Sequence, residues 1–249
     1  MFKGTMSDPT LFKDSITTVG ELIDEGIFKV NEKGMSLVAA DRAMVAVVDF
    51  KLPPTAFDKF EVDKEEEIAV NISNLVSILK RVKSKDKLKM ELKKNKLEIL
   101  IENSSKRRFT VPLLDISKEE IPPIDELDFK AKIKLKSDIL KSGIEDADIA
   151  GDSVVLEAKD DEFNMKASGD ITSTELLLKK GNKSLLDFSV SGNVMARYPL
   201  EYLKKMIKAS KLADEAVIKW STDYPMKLDF STVDKVSLGF VLAPRVTED

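Results

Sequence analysis

The sequence predicts an α+β protein made of two copies of one domain, each combining antiparallel strands with two short helices. One observation is an internal repeat, since sliding the 249 residues by 128 positions superposes two separated blocks without a gap. Another is that both halves follow the same order of helical and alternating hydrophobic patterns. A third is an acidic stretch with two prolines between the halves, which is typical of an extended connector. We therefore expect domains at 1–116 and 129–249, joined by a connector at 117–128.

The repeat covers both the start and the middle of each half. The segment TLFKDSITTVGELIDEGIFKV, beginning at Thr10, lies over DILKSGIEDADIAGDSVVLEA, beginning at Asp138. The same offset places Leu75 on Leu203, Lys80 on Lys208, Lys83 on Lys211 and Asp86 on Asp214. Because one offset serves two separated blocks, the pattern indicates a duplicated domain.

Four short amphipathic helices are predicted, two in each half, because apolar residues recur at three- and four-residue spacing. The four apolar groups are Phe12, Ile16 and Val19; Leu75, Ile78, Leu79 and Val82; Leu140, Ile144 and Ala147; and Leu203, Met206 and Ile207. The runs between them have strand character. Those runs are MSLVAA, MVAVVDFKL, LEILIE, RRFTVPLL, SVVLEA, ELLLKK, EAVIKW, MKLDFS and VSLGFVLA.

Composition excludes several kinds of active site. The chain has no cysteine and no histidine, which removes disulfides, thiolate zinc sites, imidazole ligands and Ser-His-Asp catalysis. Carboxylates, lysines and hydroxyls are the remaining candidates for chemistry. Asp160, Asp161 and Glu162 are the candidates for a metal-dependent nuclease. No apolar run is long enough to span a bilayer, and the N-terminal residues lack a signal-peptide core. We expect an intracellular protein without cofactor, metal or membrane association.

One stretch runs against the net charge of −4. NLVSILKRVKSKDKLKMEL, from Asn74 to Leu92, contains six basic residues and a single aspartate, Asp86, before its final glutamate. A lysine-rich stretch can simply be a solvated surface. It can also supply attraction to phosphate groups that is independent of base sequence. The stretch alone does not decide between these interpretations.

The chain resembles the proliferating cell nuclear antigen family, the ring-shaped DNA sliding clamps of archaea and eukaryotes. The matching segments are LIDEGIFKV, SILKRVKSKD and the near-terminal FVLAPRV, in that order along nearly the whole chain. The chain lacks cysteine and a C-terminal extension, and in this it is similar to the archaeal members. The resemblance implies a non-enzymatic DNA polymerase processivity factor in the archaeal cytoplasm, associated with the nucleoid. It also implies a homotrimeric ring in which four helices per chain line a central hole.

Helix geometry independently favours three chains over two. Twelve packed helices, each about 10 Å across, give a circumference of roughly 120 Å and a bore of roughly 28 Å. Two chains would leave roughly 15 Å by the same arithmetic, which is too narrow for a DNA duplex.

The resemblance implies a DNA-facing surface made of basic residues on the helices. Leu75, Ile78 and Leu79 would face the sheet, so Lys80 and its neighbours would face the hole and contact double-stranded DNA without sequence preference. The expected DNA-facing residues are Lys13, Lys80, Arg81, Lys83, Lys204, Lys205, Lys208 and Lys211. On the fourth helix three of these lysines would form a stripe at i, i+4 and i+7.

Partners of this family carry a short hydrophobic peptide that docks beneath the interdomain connector. DNA polymerase, clamp loader, flap nuclease and ligase are the partners that the resemblance implies. The expected pocket residues are Ala40, Val45, Ile121, Pro122, Pro225, Val241, Leu242, Ala243 and Pro244. The family usually has an aromatic residue at position 241 and often a larger one at position 40. Both residues are small here, so this pocket would be roomier or would bind more weakly.

A head-to-tail subunit interface is implied between the strand KRRFTVPLL of one chain and STELLLKK of the next. Acidic residues outnumber the single lysine, Lys141, on the third helix, and we expect them to face the basic cluster of the neighbour. The expected interface residues are Arg81, Lys83, Lys106, Arg107, Arg108, Asp138, Glu145, Asp146, Asp148, Leu176 and Leu178.

Two other functions remain open from the sequence. The chain could be a paralogue with the same fold that acts in mixed rings or as a separate interaction module. It could also be a carboxylate-metal nuclease that uses Asp160, Asp161 and Glu162. A measurement of the mass in solution distinguishes the first alternative from a homotrimeric clamp. An assay of nuclease activity with added magnesium does so for the second.

Overall fold

The computed structural model describes residues 1–118, 120–121 and 123–245, and its secondary structure follows the same order twice. The first copy contains β1 (Phe2–Met6), α1 (Thr10–Val19), β2 (Glu25–Asn31), β3 (Gly34–Ala40), β4 (Ala46–Leu52), β5 (Lys59–Val62), β6 (Glu66–Asn71), α2 (Ile72–Leu79), β7 (Lys87–Lys93), β8 (Lys96–Glu102) and β9 (Lys106–Pro112). The second contains β10 (Ala131–Lys136), α3 (Ser137–Ala150), β11 (Ser153–Lys159), β12 (Glu162–Ser168), β13 (Ser173–Lys179), β14 (Leu185–Val190), β15 (Val194–Pro199), α4 (Leu200–Met206), β16 (Glu215–Trp220), β17 (Met226–Thr232) and β18 (Val236–Leu242). Short 3-10 helices lie at Pro54–Ala56, Ile124–Glu126 and Ile207–Leu212.

The predicted duplication is confirmed by the positions of these elements. Strands β2 and β11 begin at residues 25 and 153, and β3 and β12 begin at residues 34 and 162. Helices α2 and α4 begin at residues 72 and 200. In all three cases the separation is the 128 residues of the sequence repeat.

The chain divides into two compact units. The first is Met1–Ile121 together with Thr232–Leu238, and the second comprises the remaining described residues. Strand β18 is therefore divided between the units.

Each unit contains antiparallel sheets with matching strand order. In the first unit the orders are β5-β1-β7-β8-β9 and β4-β3-β2-β6. In the second they are β14-β10-β16-β17 and β13-β12-β11-β15. Strands β9 and β13 each lie at the end of a sheet.

The helices are held by the apolar faces that the sequence predicts. Phe12, Ile16 and Val19 on α1 are almost fully buried, and the ring of Phe12 packs 6.5 Å from that of Phe50 on β4. Burying each such side chain stabilises the fold by about 1.5–3 kcal/mol. Helix α1 packs against α2, and α3 packs against α4. The four predicted helices are confirmed, although two of them end earlier than the hydrophobic pattern suggests.

Helix α2 begins at a side-chain cap and ends just before the basic residues. Asn71 accepts a hydrogen bond from the Asn74 N–H at 2.9 Å, which satisfies a donor that the helix leaves free. The helix ends at Leu79, and Val82 is buried beyond it. The chain therefore leaves the helix in a turn that Val82 anchors.

Candidate functional site

The basic residues of the stretch Asn74–Leu92 lie on a turn and a strand, and not on the helix as predicted. Lys80 is the C-cap of α2, and its N–H donates to the Val76 carbonyl at 2.9 Å. Arg81 and Lys83 follow in the turn and are exposed. Lys89 belongs to β7, where it pairs with Glu102 at 2.5 Å. Fewer basic residues of this stretch therefore contribute to one exposed cationic surface than the sequence suggests.

The turn encloses a depression of about 430 Å³ that we call the basic depression. Lys80, Arg81, Lys83, Asp86, Asn103, Ser104, Ser105 and Arg107 line it. Four of these residues are cationic and one is anionic, so the local charge is positive although the chain is acidic overall. A positive concave surface attracts phosphate groups and other anions.

Asp86 is the anion of the basic depression, and it is almost fully buried. Its carboxylate accepts hydrogen bonds from the Asn103 side chain at 2.9 Å, the Lys83 N–H at 3.1 Å and the Arg107 guanidinium at 2.7 Å. The hydrogen bonds from Asn103 and Lys83, together with the charge of Arg107, hold the pKa of the Asp86 carboxyl below its usual value. The carboxylate is therefore ionised at neutral pH.

Lys13 lies beside this turn on α1. Its ammonium group donates to the Val82 carbonyl at 2.8 Å and is partly buried. The structure thus brings Lys13 close to the predicted DNA-facing residues of the first unit, but part of its hydrogen-bonding capacity is used within the chain.

The basic residues of the second unit lie on α4 and the 3-10 helix that follows it. Lys204 and Lys205 are on α4, whereas Lys208 and Lys211 are on the 3-10 helix. Because a 3-10 helix has 3.0 residues per turn, the predicted i, i+4, i+7 stripe does not form as a single helical row. The Lys205 ammonium lies 5.5 Å from the centre of the Tyr202 ring.

A groove of about 460 Å³ lies between the acidic helix α3 and three of these lysines. Lys141, Glu145, Asp148, Lys204, Lys208 and Lys211 are among its lining residues. Asp148 pairs with Lys204 at 2.8 Å, and Glu145 lies 3.7 Å from Lys141. Part of the acidic charge of α3 is therefore balanced within its own unit, which the sequence did not reveal.

Among the described residues, the two strands expected at the subunit interface both lie at the edge of a sheet. Strand β9 ends the sheet of the first unit and carries Lys106 and Arg108, both exposed. Strand β13 ends a sheet of the second unit. An edge strand presents unpaired backbone N–H and C=O groups that can pair with another chain.

Three side chains expected at that interface are partly or fully occupied by contacts within their own unit. Arg107 binds Asp86, and Leu178 is 6% exposed because it points into the core of its own unit. Leu176 is half-buried near α3. Alternation along a strand places Leu177 on the opposite face, and Leu177 is 43% exposed. The outward-facing leucine of β13 is therefore Leu177, which the sequence analysis assigned to neither face.

The predicted peptide-pocket residues differ in exposure. In the first unit, Ala40 is buried, while Val45 and Ile121 are half-buried. Val45 lies in a turn organised by Asp41, whose carboxylate accepts the Val45 N–H at 2.8 Å. Ile121 lines a groove of about 670 Å³ with Val38.

In the second unit, Val241 is almost buried, and Leu242 is fully buried and cannot contact a peptide without a rearrangement of the core. Pro225, Ala243 and Pro244 are half-exposed. The Tyr198 hydroxyl donates to the carbonyl of Tyr224 at 2.7 Å and so fixes the backbone before Pro225. Burial raises the pKa of Tyr198 above its usual value, so the hydroxyl remains a donor. Pro122, the remaining pocket residue, lies outside the described residues.

The acidic cluster considered for a metal nuclease is a hairpin turn. Asp160 and Asp161 have positive φ angles of 50° and 66° between β11 and β12. Each of the three acids forms an ion pair with a lysine: Lys159–Asp160, Lys180–Asp161 and Lys179–Glu162. Across residues 1–118, 120–121 and 123–245 no group of three acids is arranged to hold a metal ion. The cluster therefore offers no support for the nuclease alternative.

Two family profiles cover almost the whole chain. The profile described as proliferating cell nuclear antigen, N-terminal domain, matches residues 1–120. The profile for the C-terminal domain of the same antigen matches residues 123–245. The chain belongs to the proliferating cell nuclear antigen family.

Curated members of the proliferating cell nuclear antigen family are similar over their full length. The chain is 40% identical to the DNA polymerase sliding clamp of Thermococcus gammatolerans, over 95% of both chains. It is 39% identical to the clamp of Pyrococcus furiosus and 38% identical to DNA polymerase sliding clamp 1 of Thermococcus kodakarensis, with the same coverage.

Solved structures of this family have the same fold. The crystal structure of the proliferating cell nuclear antigen of Thermococcus kodakaraensis matches with a TM-score of 0.90 and 29% identity, over 98% of this chain and 100% of the other. The PCNA2–PCNA3 complex of Sulfolobus tokodaii also matches with a TM-score of 0.90, at 27% identity, over 98% and 99%. No helix in the described part of the chain is long and apolar enough to cross a membrane.

The network around Asp86 is what the sequence analysis missed. Its one signal was a lone acid inside a basic run. The partners Asn103 and Arg107 lie 17 and 21 residues further along the chain, so sequence spacing alone does not connect them to Asp86.

Proposed function

We propose that this protein is a DNA sliding clamp, a non-enzymatic processivity factor that encircles duplex DNA as a homotrimer. The observation that carries the proposal is full-length similarity to proteins named DNA polymerase sliding clamp. The exposed cations Lys80, Arg81 and Lys83 support a surface that attracts phosphate without reading bases. Its place of action would be the archaeal cytoplasm, at the nucleoid.

Ring closure would use the two free edges, β9 of one chain and β13 of the next. A head-to-tail contact between two different surfaces closes into a ring when the rotation between copies allows it. The basic residues Arg81, Lys83, Lys106 and Arg108 lie on the first unit, and the exposed acids Asp138, Glu145 and Asp146 lie on the second. Opposite charge on the two surfaces would favour this pairing over contacts between like surfaces.

The pure protein is expected to be a trimer in solution. Backbone pairing of two edges, added to opposite charges, should hold chains together at micromolar concentration. Sedimentation equilibrium should then give three times the 27.8 kDa mass of the chain. A monomer at this concentration would instead favour the alternative of a mixed ring, which is supported by the structural match to a complex of two different family members.

Partner enzymes would be tethered through the predicted peptide pocket. Polymerase, clamp loader, flap nuclease and ligase would share it, and each would be held near DNA by a second, local attachment. The division of the chain proposed from the sequence, 1–116, 117–128 and 129–249, would place this pocket beside the connector.

Substituting the exposed pocket residues is expected to abolish stimulation of a cognate polymerase. The variant Ala243→Asp with Pro244→Ala places a charge where an apolar anchor would dock, which typically costs about 2 kcal/mol or more of binding. Leu242→Ala is unsuitable, because emptying a fully buried site costs about 2–5 kcal/mol of stability. Primer extension on a loaded circle gives the readout.

The matched control is Val233→Asp, which adds the same charge at a turn residue that is 84% exposed. The control should stimulate the polymerase normally. If the Ala243→Asp, Pro244→Ala protein remains trimeric and also stimulates normally, the docking site lies elsewhere.

A further inference from the structure

A buried carboxylate joins three separate segments of the first unit. Asp86 precedes β7, and its hydrogen bonds reach the Lys83 N–H in the turn after α2, the Asn103 side chain between β8 and β9, and Arg107 on β9. The Asp86 side chain, which forms an ion pair with Arg107, is only 2% exposed. Such a group is costly to bury without partners, so its partners must stay in place.

Arg107 extends the same network to the backbone of the turn. One terminal nitrogen of its guanidinium binds Asp86 at 2.7 Å, and the other donates to the Arg81 carbonyl at 3.2 Å. A planar guanidinium can hold two acceptors in a fixed geometry, which a lysine cannot do. Arg107 therefore connects β9 to the residue that separates Lys80 from Val82.

The carboxylate also offsets repulsion among the surrounding cations. Lys80, Arg81, Lys83 and Arg107 share the basic depression, and like charges at such short range oppose one another. An ionised group at the base of the depression reduces that repulsion while it fixes the turn. Removing the charge of Asp86 would increase the repulsion among these cations, and the turn would no longer be held in place.

We propose that Asp86 is a positioning residue for DNA contact: with Arg107 it holds the turn that presents Lys80, Arg81 and Lys83 to phosphate groups. The proposal rests on the proposed function as a sliding clamp. Asp86 itself does not touch DNA, and the Arg107 side chain serves as a connection within the chain.

The second copy of the domain provides a matched control. Asp214 occupies the position 128 residues after Asp86, but its side chain is exposed. Asp86→Asn and Asp214→Asn each remove one negative charge from an equivalent place. A purely electrostatic account predicts that both variants bind duplex DNA more tightly. The positioning role predicts weaker binding by Asp86→Asn alone.

The test measures binding of a fluorescent duplex oligonucleotide at low salt by anisotropy. Asp86→Asn should bind about three- to tenfold more weakly than the parent although it is less acidic, while Asp214→Asn should bind equally or more tightly. Amide hydrogen exchange should show faster exchange at Lys83 in Asp86→Asn, because its N–H loses a charged acceptor. Binding by Asp86→Asn that equals or exceeds that of the parent, with a normal circular dichroism spectrum, would overturn the proposal.

A second variant covers the case in which Asp86→Asn does not fold. Arg107→Lys keeps the charge but cannot hold both acceptors, so the same loss of DNA binding and faster Lys83 exchange are expected. An Arg107→Lys protein with parental values for both would equally refute the proposal. If the parent itself shows no salt-dependent DNA binding, the proposal that this turn presents cations to phosphate fails, whereas retention of the loaded clamp on circular DNA still tests the clamp function separately.

Discussion

Reversing Glu145 and Asp146 to lysine is expected to convert the trimer to monomers at low micromolar concentration. Both acids are exposed on α3, and by the proposed head-to-tail pairing they face the cations Arg81 and Arg108 of the next chain. Single exposed ion pairs contribute only about 0–1 kcal/mol. The double reversal replaces several attractions by repulsions at all three interfaces, so the effects accumulate. Gel filtration coupled to light scattering measures the result.

Two further variants make this prediction specific. Reversing Arg81 and Arg108 to glutamate in the same chain should partly restore the trimer, because opposite charges then meet again. Arg107 is left unchanged, since it holds Asp86 within its own unit. Reversal of two exposed acids elsewhere in the second unit, Asp170 and Asp187, should leave the trimer intact. A trimer unaffected by Glu145→Lys and Asp146→Lys would show that strand pairing and apolar contacts suffice.

Replacing Lys80, Lys83, Lys208 and Lys211 by alanine is expected to impair loading and sliding without unfolding the protein. All four side chains are exposed, so their removal leaves the core unchanged. For each lysine that binds a phosphate group, its replacement should lower the slope of log binding constant against log salt by about 0.9. Titration of a short duplex at several salt concentrations gives that slope, and a thermal melt checks the fold.

The control for these four changes removes the same charge from exposed turns between strands. The four control substitutions to alanine are at Lys33, Lys64, Lys183 and Lys235. The control protein should keep a nearly parental salt slope. Equal slopes for the two quadruple variants would mean that Lys80, Lys83, Lys208 and Lys211 do not face DNA.

The duplication and the helices could be predicted because they depend on local spacing. Phe12, Ile16 and Val19 are buried as their periodicity requires, and the 128-residue offset reappears in strand positions. Strand β7 was hidden because its outward positions, Lys87 and Lys89, interrupt the apolar signal from Leu88 and Met90. The high density of lysine in this segment therefore concealed its alternation.

Other features depended on contacts between distant residues. Leu178 and Leu177 are adjacent in a run of three leucines, and which of them faces inward is decided by what packs on each face of β13. The pairing of Lys204 with Asp148 joins residues 56 positions apart, so no local pattern predicts it. The role of Arg107 likewise depends on its contact with Asp86, which lies 21 residues earlier in the chain. The charge of Arg107 alone suggested a place at the subunit interface.

The central claim, that the protein holds DNA by encircling it, is tested most directly by a salt wash of loaded complexes. The clamp would be loaded by its loader onto a nicked circle, and half of the sample would then be linearised. Contacts to phosphate weaken steeply with salt, whereas a closed ring on a circle has no end to leave from. At about 1 M salt, where the Debye length is roughly 3 Å, the clamp should stay on circles and leave linear DNA. Equal loss from circular and linear DNA would contradict encirclement.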